Sequence, residues 1–421
     1  MEAFYRSPTL SGPPWWRRSD MLLRFVSDFL HAELQLMRRG GAGLPAQPWP
    51  PTLDLEAQLG VDSLERFALA SALGVCLELG QDDGGPDLLT ARTLGDWCER
   101  LTAWLDRTGL AAMQFKTSGS SGVPKRCRHA FPLLWEEACF FANQLQQTQR
   151  LCYAVPAHHI YGFLFSVLLP LALGPREVVL RDVRRELPGT LLASSAPGDV
   201  LIGYPEWWAA CADLGQPWPP GVTAISSTAP CPPAVAQGLS QSGLRLLEIY
   251  GSSETAGVGW RSDWRAPYTL LPYWERGWET RTLLRPQVAG TLLEAHCQDQ
   301  IDWQDARHFR PGARQDQAVQ VGGVNVYPEQ VAALLRRHPQ VADAVVRLMR
   351  PDEGTRLKAF IVPADGSDAA TLDADLRGWI RERLPGPARP VSYTFGAAPP
   401  RTAQGKAGDW ITAAPAPAPT K

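Results

Sequence analysis

The sequence predicts a large α/β lobe joined to a small α+β lobe and preceded by a small all-α bundle. Three observations predict it. Apolar residues in the first hundred positions recur at helical spacing, as in Leu22, Phe25, Val26, Phe29 and Leu30. From Met113 onward, short β-rich runs alternate with helical stretches, the pattern of a largely parallel sheet with helices on its faces. Near Pro311-Gly312 the pattern changes to two strands, a helix and a further short strand.

The elements follow in order. A loop rich in Gly and Pro, Gly40 to Pro51, ends the first helix. A second helix starts at Asp62-Ser63, with Leu64, Phe67, Ala68, Ala72 and Val75 on its apolar face. Thr93 caps a third, whose inward face is Leu94, Trp97, Leu101, Trp104 and Leu105. The strands of the large lobe are expected at Leu151–Pro156, Val178–Arg181, Val200–Tyr204, Thr223–Ser226 and Arg245–Tyr250. In the small lobe Pro328 opens a helix running to Arg337. Strands at Val341–Met349 and Leu357–Val362, a helix at Ala370–Leu384 and a strand at Val391–Phe395 complete it. The expected division is 1–107 for the helical block, 110–312 for the large lobe, 313–410 for the small lobe and 411–421 for a disordered Ala/Pro tail.

A chain of 421 residues has room for several cores. A net charge of −2 gives no electrostatic footprint for nucleic acid or an anionic membrane. The longest apolar run, Phe163 to Gly174, is too short to span a bilayer, and the N-terminus lacks the apolar core of a signal peptide. Eight Cys without CxxC spacing point away from zinc and disulfides and toward a reducing cytoplasmic setting.

The most informative stretch is Thr117-Ser118-Gly119-Ser120-Ser121-Gly122-Val123-Pro124-Lys125. Glycines let backbone approach a ligand, successive N–H groups and hydroxyls form an anion site, and Lys adds charge. That chemistry suits a polyphosphate, although a lone Ser/Gly loop is more often a surface turn. Further segments follow in order: Val155-Pro156-Ala157-His158-His159-Ile160-Tyr161-Gly162, Ser226-Ser227-Thr228-Ala229-Pro230, Tyr250-Gly251-Ser252-Ser253-Glu254, Arg314 with Gly323 to Glu329, and Pro400-Arg401-Thr402-Ala403-Gln404-Gly405-Lys406. Together they resemble the motifs of the adenylate-forming superfamily, the acyl-CoA synthetases, nonribosomal adenylation domains and luciferases. The resemblance covers Gln114 to Trp410.

The resemblance implies ATP-dependent activation of a carboxylic acid as acyl-AMP, followed by transfer to a thiol. It implies that Thr117 to Lys125 hold the β- and γ-phosphates, that Glu254 binds Mg²⁺, and that Thr228 and Tyr250 border adenine. Asp299, with Asp302 as second choice, and Arg314 would hold ribose. His159 would lie beside the acyl pocket. Asp316 would be the hinge, and Lys406 would bridge the acid and the α-phosphate. The sequence departs from the family in four places. Its Thr-Gly-Asp is not intact, the usual Gly-Arg pair is Ala313-Arg314, a hinge-region Lys is replaced by Gln320, and the phosphate loop comes unusually early, so part of the large lobe is missing or replaced.

Leu59-Gly60-Val61-Asp62-Ser63-Leu64 resembles the phosphopantetheine attachment site of acyl carrier proteins. A phosphate ester on Ser63 would sit at a helix N-terminus, where the dipole favours it. The plainer reading is that Ser63 is a helix cap. The reading of the whole is a ligase passing its acyl group to phosphopantetheine on a carrier, in cis or in trans, with synthase-type partners. A CoA ligase with a structural N-terminal block is the alternative, and a nucleotide-binding pseudoenzyme or docking module of a larger synthase is a third.

Overall fold

The computed structural model describes residues 12–38, 43–79, 85–117, 125–174, 178–286, 291–314, 318–350, 352–364, 369–400 and 408–410. Most of the loop expected to hold phosphate, together with Asp316 and Lys406, lies outside these residues. The described chain forms two compact units, one ending at Ala313 and one beginning at Arg314.

The first unit begins with helices α1 (Ser19–Met37), α2 (Ser63–Cys76) and α3 (Leu94–Thr108). Thr93 caps α3 in a reciprocal capping box with Asp96, and the five residues expected inward are all buried. On α2 the expected face is wrong. Leu69, Leu73 and Cys76 are buried, whereas Leu64 is 78% and Phe67 61% exposed. The cap is Asp62, whose Oδ1 accepts the Glu65 N–H at 2.8 Å, and Ser63 is the first helical residue.

The three helices are not a separate bundle, and no boundary falls near residue 107. They share one hydrophobic core with the sheet. Trp15 packs edge-on against Phe25 of α1 and Phe163 of the α/β region, with ring centroids 5.3 and 5.2 Å apart. Polar ties reinforce this: Glu33 pairs with Lys116 at 2.6 Å, and Asp28 with Arg184 at 2.7 Å. A block carrying a swinging arm needs a closed core of its own; here the apolar faces are already spent on the lobe.

Hairpin strands β1 (Ala112–Thr117) and β2 (Lys125–Ala130) pair antiparallel, with Thr117 opposite Lys125. Helix α4 (Phe131–Gln144) and β3 (Arg150–Tyr153) come next. A continuous helical stretch runs from α5 (Ile160–Phe163) through a π-turn to α6 (Leu169–Ala172). The parallel repeat then continues as β4 (Val179–Asp182), α7 (Pro188–Ser194), β5 (Asp199–Gly203), α8 (Pro205–Ala212), β6 (Thr223–Ser226), α9 (Pro233–Gln241) and β7 (Arg245–Ser252). Strands β8 (Ala256–Arg261) and β9 (Tyr268–Leu270) turn back antiparallel. Strands β10 (Glu275–Arg276), β11 (Thr282–Pro286) and β12 (Leu292–His296) make a small sheet of their own. Strands β13 (Asp299–Trp303) and β14 (His308–Arg314) complete the large one, in the order β13-β14-β9-β8-β7-β6-β5-β3-β4. The five strands from β4 to β7 in this order are mutually parallel, as the apolar runs foretold.

The second unit starts with the hairpin β15 (Val319–Val321) and β16 (Val324–Val326), turned by Gly322 and Gly323 at φ 58° and 73°. Helix α10 (Pro328–Leu335) precedes β17 (Val341–Leu348) and β18 (Leu357–Pro363), which pair antiparallel. Helix α11 (Ala369–Arg381) and β19 (Ser392–Phe395), parallel to β18, finish it.

Candidate active site

In a parallel sheet with crossover helices, ligands bind beyond the carboxyl ends of the strands, where the backbone leaves regular pairing. Three of the motifs leave the sheet at this edge: His158-His159 after β3, Ser227-Thr228 after β6, and Gly251 to Glu254 from the end of β7. Tyr161 knits the edge together by sharing its hydroxyl between the carbonyls of Gly203 and Ile225, at 2.9 and 3.0 Å. Gly162 is required where it stands, because a Cβ there would come within 1.9 Å of the Pro156 carbonyl oxygen.

Two residues from distant segments meet. Tyr250 on β7 donates its hydroxyl to Asp299 Oδ2 on β13 at 2.7 Å. Burial pushes the Tyr250 hydroxyl's pKa up, so it stays a neutral donor. Burial also lifts the neighbouring Cys297 thiol to about 12, so no thiolate competes. Phe309 packs edge-on to Tyr250 at 5.4 Å and stacks with Tyr268 at 5.9 Å, which fixes the ring from behind.

The β7–β8 turn is strained and internally tied. A Cβ on Gly251 would approach the Ala256 carbonyl oxygen to 2.1 Å, and Ala256 itself has φ 57°. Ser252 Oγ accepts the Glu254 and Thr255 N–H groups at 3.2 Å each. Ser253 offers its carbonyl to His129 Nε2 at 2.7 Å. Burial lowers the His129 pKa, so the ring is neutral and its Nε2–H donates. This bond ties β2, which starts at Lys125, to the turn carrying Glu254. Both Lys125 and Glu254 are exposed.

Thr228 is also exposed and sits at φ 79°, a left-handed conformation that a β-branched residue rarely adopts. Ser227 Oγ donates to the Ile249 carbonyl at 3.0 Å, so the turn after β6 leans on β7 beside Tyr250.

His159 caps α5 and is exposed, yet the protein around it lowers its pKa by desolvation, with Asp28 opposing. The His158 ring lies beside the His159 ring, tilted by 41° with centroids 4.1 Å apart. Helix α1 braces this segment: Asp28 accepts the Ala157 N–H at 2.8 Å, and Arg24 bonds Ser166 Oγ at 2.8 Å.

In the second unit, Arg314 is the first residue and ends β14. Gly408 N–H donates to the Pro400 carbonyl at 2.7 Å, closing the ends of the segment that contains Lys406. Lys358, fully buried, anchors residues 409 and 410: its Nζ reaches Asp409 at 2.9 Å and the Trp410 carbonyl at 2.6 Å, and Glu353 holds it at 2.6 Å. Ser118 to Gly122, Asp316 and Lys406 fall outside the described residues, as does the side chain of Thr117. Among the described residues no group of three His, Cys, Asp or Glu could hold a metal ion. Glu254 offers one hard carboxylate oxygen set, which fits Mg²⁺ held mainly by nucleotide phosphates and water. No helix among the described residues is long and apolar enough to cross a membrane.

Sequence reasoning missed His129, Asp28 and the buried Glu248–Arg261 pair. His129 sits in a mostly basic, exposed strand and Asp28 inside an ordinary apolar helix pattern, and Glu248 and Arg261 become partners only through the β7–β8 register. Four Trp in one short region, Trp260, Trp264, Trp274 and Trp278, do not share one environment. Trp274 is core and donates to the Gly257 carbonyl at 2.8 Å, whereas Trp278 is exposed.

Known proteins agree with this architecture. A 4-coumarate–CoA ligase of Halorhodospira halophila is 37% identical over 92% of this chain and 98% of its own. One of Rhodobacter capsulatus is 36% identical over 93% of this chain and all of its own. Among solved structures, the amide bond synthetase McbA of Marinactinospora thermotolerans shares the fold with TM-score 0.57 at 18% identity, covering 91% of this chain and 92% of its own. The o-succinylbenzoate CoA synthetase of Bacillus subtilis does so with TM-score 0.56 at 19% identity, covering 70% of this chain and 67% of its own. The AMP-binding enzyme family model matches residues 61–275 and that of its C-terminal domain residues 330–406, so this chain belongs to the AMP-binding enzymes and is an AMP-forming acid–thiol ligase.

Proposed function

We propose that the chain adenylates a hydroxylated aromatic acid of the 4-coumarate class and passes the acyl group to the thiol of CoA. A carboxylate is a poor acylating agent because its leaving group is oxide. Attack of the carboxylate oxygen on the α-phosphorus of ATP forms the acyl-AMP and expels pyrophosphate. Charge gathers on phosphate oxygens, so catalysis is positioning plus cations. Tyr250 and Thr228 flank the base, and Asp299 and Arg314 hold the ribose. Residues 117–125 hold the β- and γ-phosphates, Glu254 carries Mg²⁺, and Lys406 reaches the acid and the α-phosphate. His159 borders the acyl group. The observation that carries this reading is the 2.7 Å bond between Tyr250 and Asp299, two residues 49 positions apart that the nucleotide scheme requires together.

CoA is the favoured acceptor because α1 to α3 share the core of the large lobe. The relatives of 36–37% identity are named CoA ligases across nearly the whole chain. A second reading, phosphopantetheine on Ser63, has the exposure of Ser63 at the start of α2 in its favour. Intact-mass spectrometry after incubation with a phosphopantetheinyl transferase and CoA decides it: an added arm lost in Ser63→Ala supports the carrier reading, and an unmodified chain rejects it.

The test of the main reading is ATP–pyrophosphate exchange over aryl, short-chain and long-chain acids, followed by thioester formation with CoA. Exchange stimulated most by hydroxycinnamic acids is expected. Exchange with none of the acids would overturn it.

A further inference from the structure

Behind the base-contacting turn lies a buried charge that the nucleotide scheme does not use. Glu248, on β7 two residues before Tyr250, is 3% exposed. Arg261, its register partner on β8, holds both its oxygens at 2.9 Å through Nε and a terminal nitrogen. Arg261 is itself fixed, its guanidinium 4.4 Å over the Tyr268 ring and bonded to the Ala266 carbonyl at 3.2 Å. The Tyr268 hydroxyl donates to Glu248 Oε2 at 3.3 Å. The same oxygen accepts the backbone N–H of Cys231, also at 3.3 Å.

That last bond crosses from β7 to the turn after β6. It holds one end of a turn whose other end is held by Ser227 Oγ on the Ile249 carbonyl. Between the two ties stands Thr228 at φ 79°. A β-branched residue relaxes out of the left-handed region unless its surroundings over-determine it. A bidentate Arg–carboxylate pair gives a fixed acceptor position, because rotation of the carboxyl breaks two charge-assisted bonds.

We propose that Glu248 is a positioning residue for base selection: its carboxylate, oriented by Arg261, holds the Ser227–Cys231 turn in the strained shape that accepts adenine and disfavours other bases. The inference rests on the nucleotide reading above. It adds that selectivity is set from behind the site, by a residue that does not touch the nucleotide.

Two double variants isolate the acceptor. Glu248→Gln with Arg261→Met removes the charges and keeps an oxygen for the Cys231 N–H. Glu248→Leu with Arg261→Met removes the oxygen as well, in a packing that a buried ion pair commonly tolerates. Both are compared with wild type in acid-dependent pyrophosphate exchange with ATP and with GTP. The Gln form should keep the ATP-over-GTP ratio of kcat/KM within about threefold. The Leu form should lose about tenfold of it, the size of one lost hydrogen bond, and the loss should fall on the KM for ATP. A merely structural role would lower both nucleotides alike. An unchanged ratio in the Leu form, or equal loss in both forms, would overturn the proposal. If wild type turns over no acid with ATP, the nucleotide reading fails separately. Amide hydrogen exchange at Cys231 then still reads the tie: slow in wild type and the Gln form, fast in the Leu form, with equal rates in all three overturning it.

Discussion

The Tyr250 hydroxyl and the Asp299 carboxylate stand 2.7 Å apart, joining the end of one strand of the large sheet to the start of another. In the proposed nucleotide site the pair couples the base side to the ribose side. Tyr250→Phe keeps the ring and its packing on Phe309 but leaves Asp299 without this donor. A hydrogen bond to a charged group contributes about 1.5–3 kcal/mol. The KM for ATP should rise roughly tenfold or more in pyrophosphate exchange, with a smaller change in kcat. An unchanged KM would separate Asp299 from nucleotide binding.

Lys406 tests the chemistry itself. A cation that acts mainly in the transition state lowers kcat far more than it lowers ATP affinity when removed. Lys406→Ala should cut acyl-AMP formation on the order of 10²-fold, as for one lost electrostatic stabiliser. Exchange at the wild-type rate would remove Lys406 from the mechanism.

Glu137, buried on α4, gives a pH dependence. Its carboxyl accepts the Gly257 N–H at 3.0 Å, but burial pushes its pKa from 4.5 to about 7. The folded chain thus keeps a proton that the unfolded chain releases. Stability is fullest below the unfolded value and falls as pH rises through the window from 4.5 to 7, by about 3 kcal/mol at most. Urea titrations from pH 5 to 8 should show that decline in wild type and a much flatter profile in Glu137→Gln. Parallel profiles would mean that Glu137 ionises normally.

Lys358 tests the second unit. Replacing it by Met takes its cation from the buried Glu353 carboxylate, which keeps Arg350 at 3.3 Å, and from the exposed Asp409. Breaking a buried ion pair costs about 3–5 kcal/mol. The β17–β18 amides should exchange faster, and adenylation should fall because the anchor just beyond Lys406 is lost. Wild-type protection with wild-type activity would show that Trp410 needs no such anchor.

Asp316→Pro examines movement between the two reaction steps. Proline fixes φ near −65°, and hinge residues absorb φ/ψ changes. Acyl-AMP formation and thioester formation should respond by different factors. Equal loss of both in a folded variant would count against two arrangements.

The sequence by itself determined the strand–helix alternation, the five parallel strands and the capping of α3. Each of these rests on local chemistry: periodicity or a capping hydroxyl. Tertiary structure decided the rest. The apolar spacing of α2 fitted two helix faces, and contact with the core chose Leu69 and Leu73 over Leu64 and Phe67. The first hundred residues read as an independent bundle because a helix carries no label for what covers it. Trp15, Phe25 and Phe163 show that the cover is the α/β lobe. His129, Glu248 and Arg261 gained their roles from register and burial, since a hydrogen bond between distant segments exists only once the sheet has brought its two ends within 3 Å.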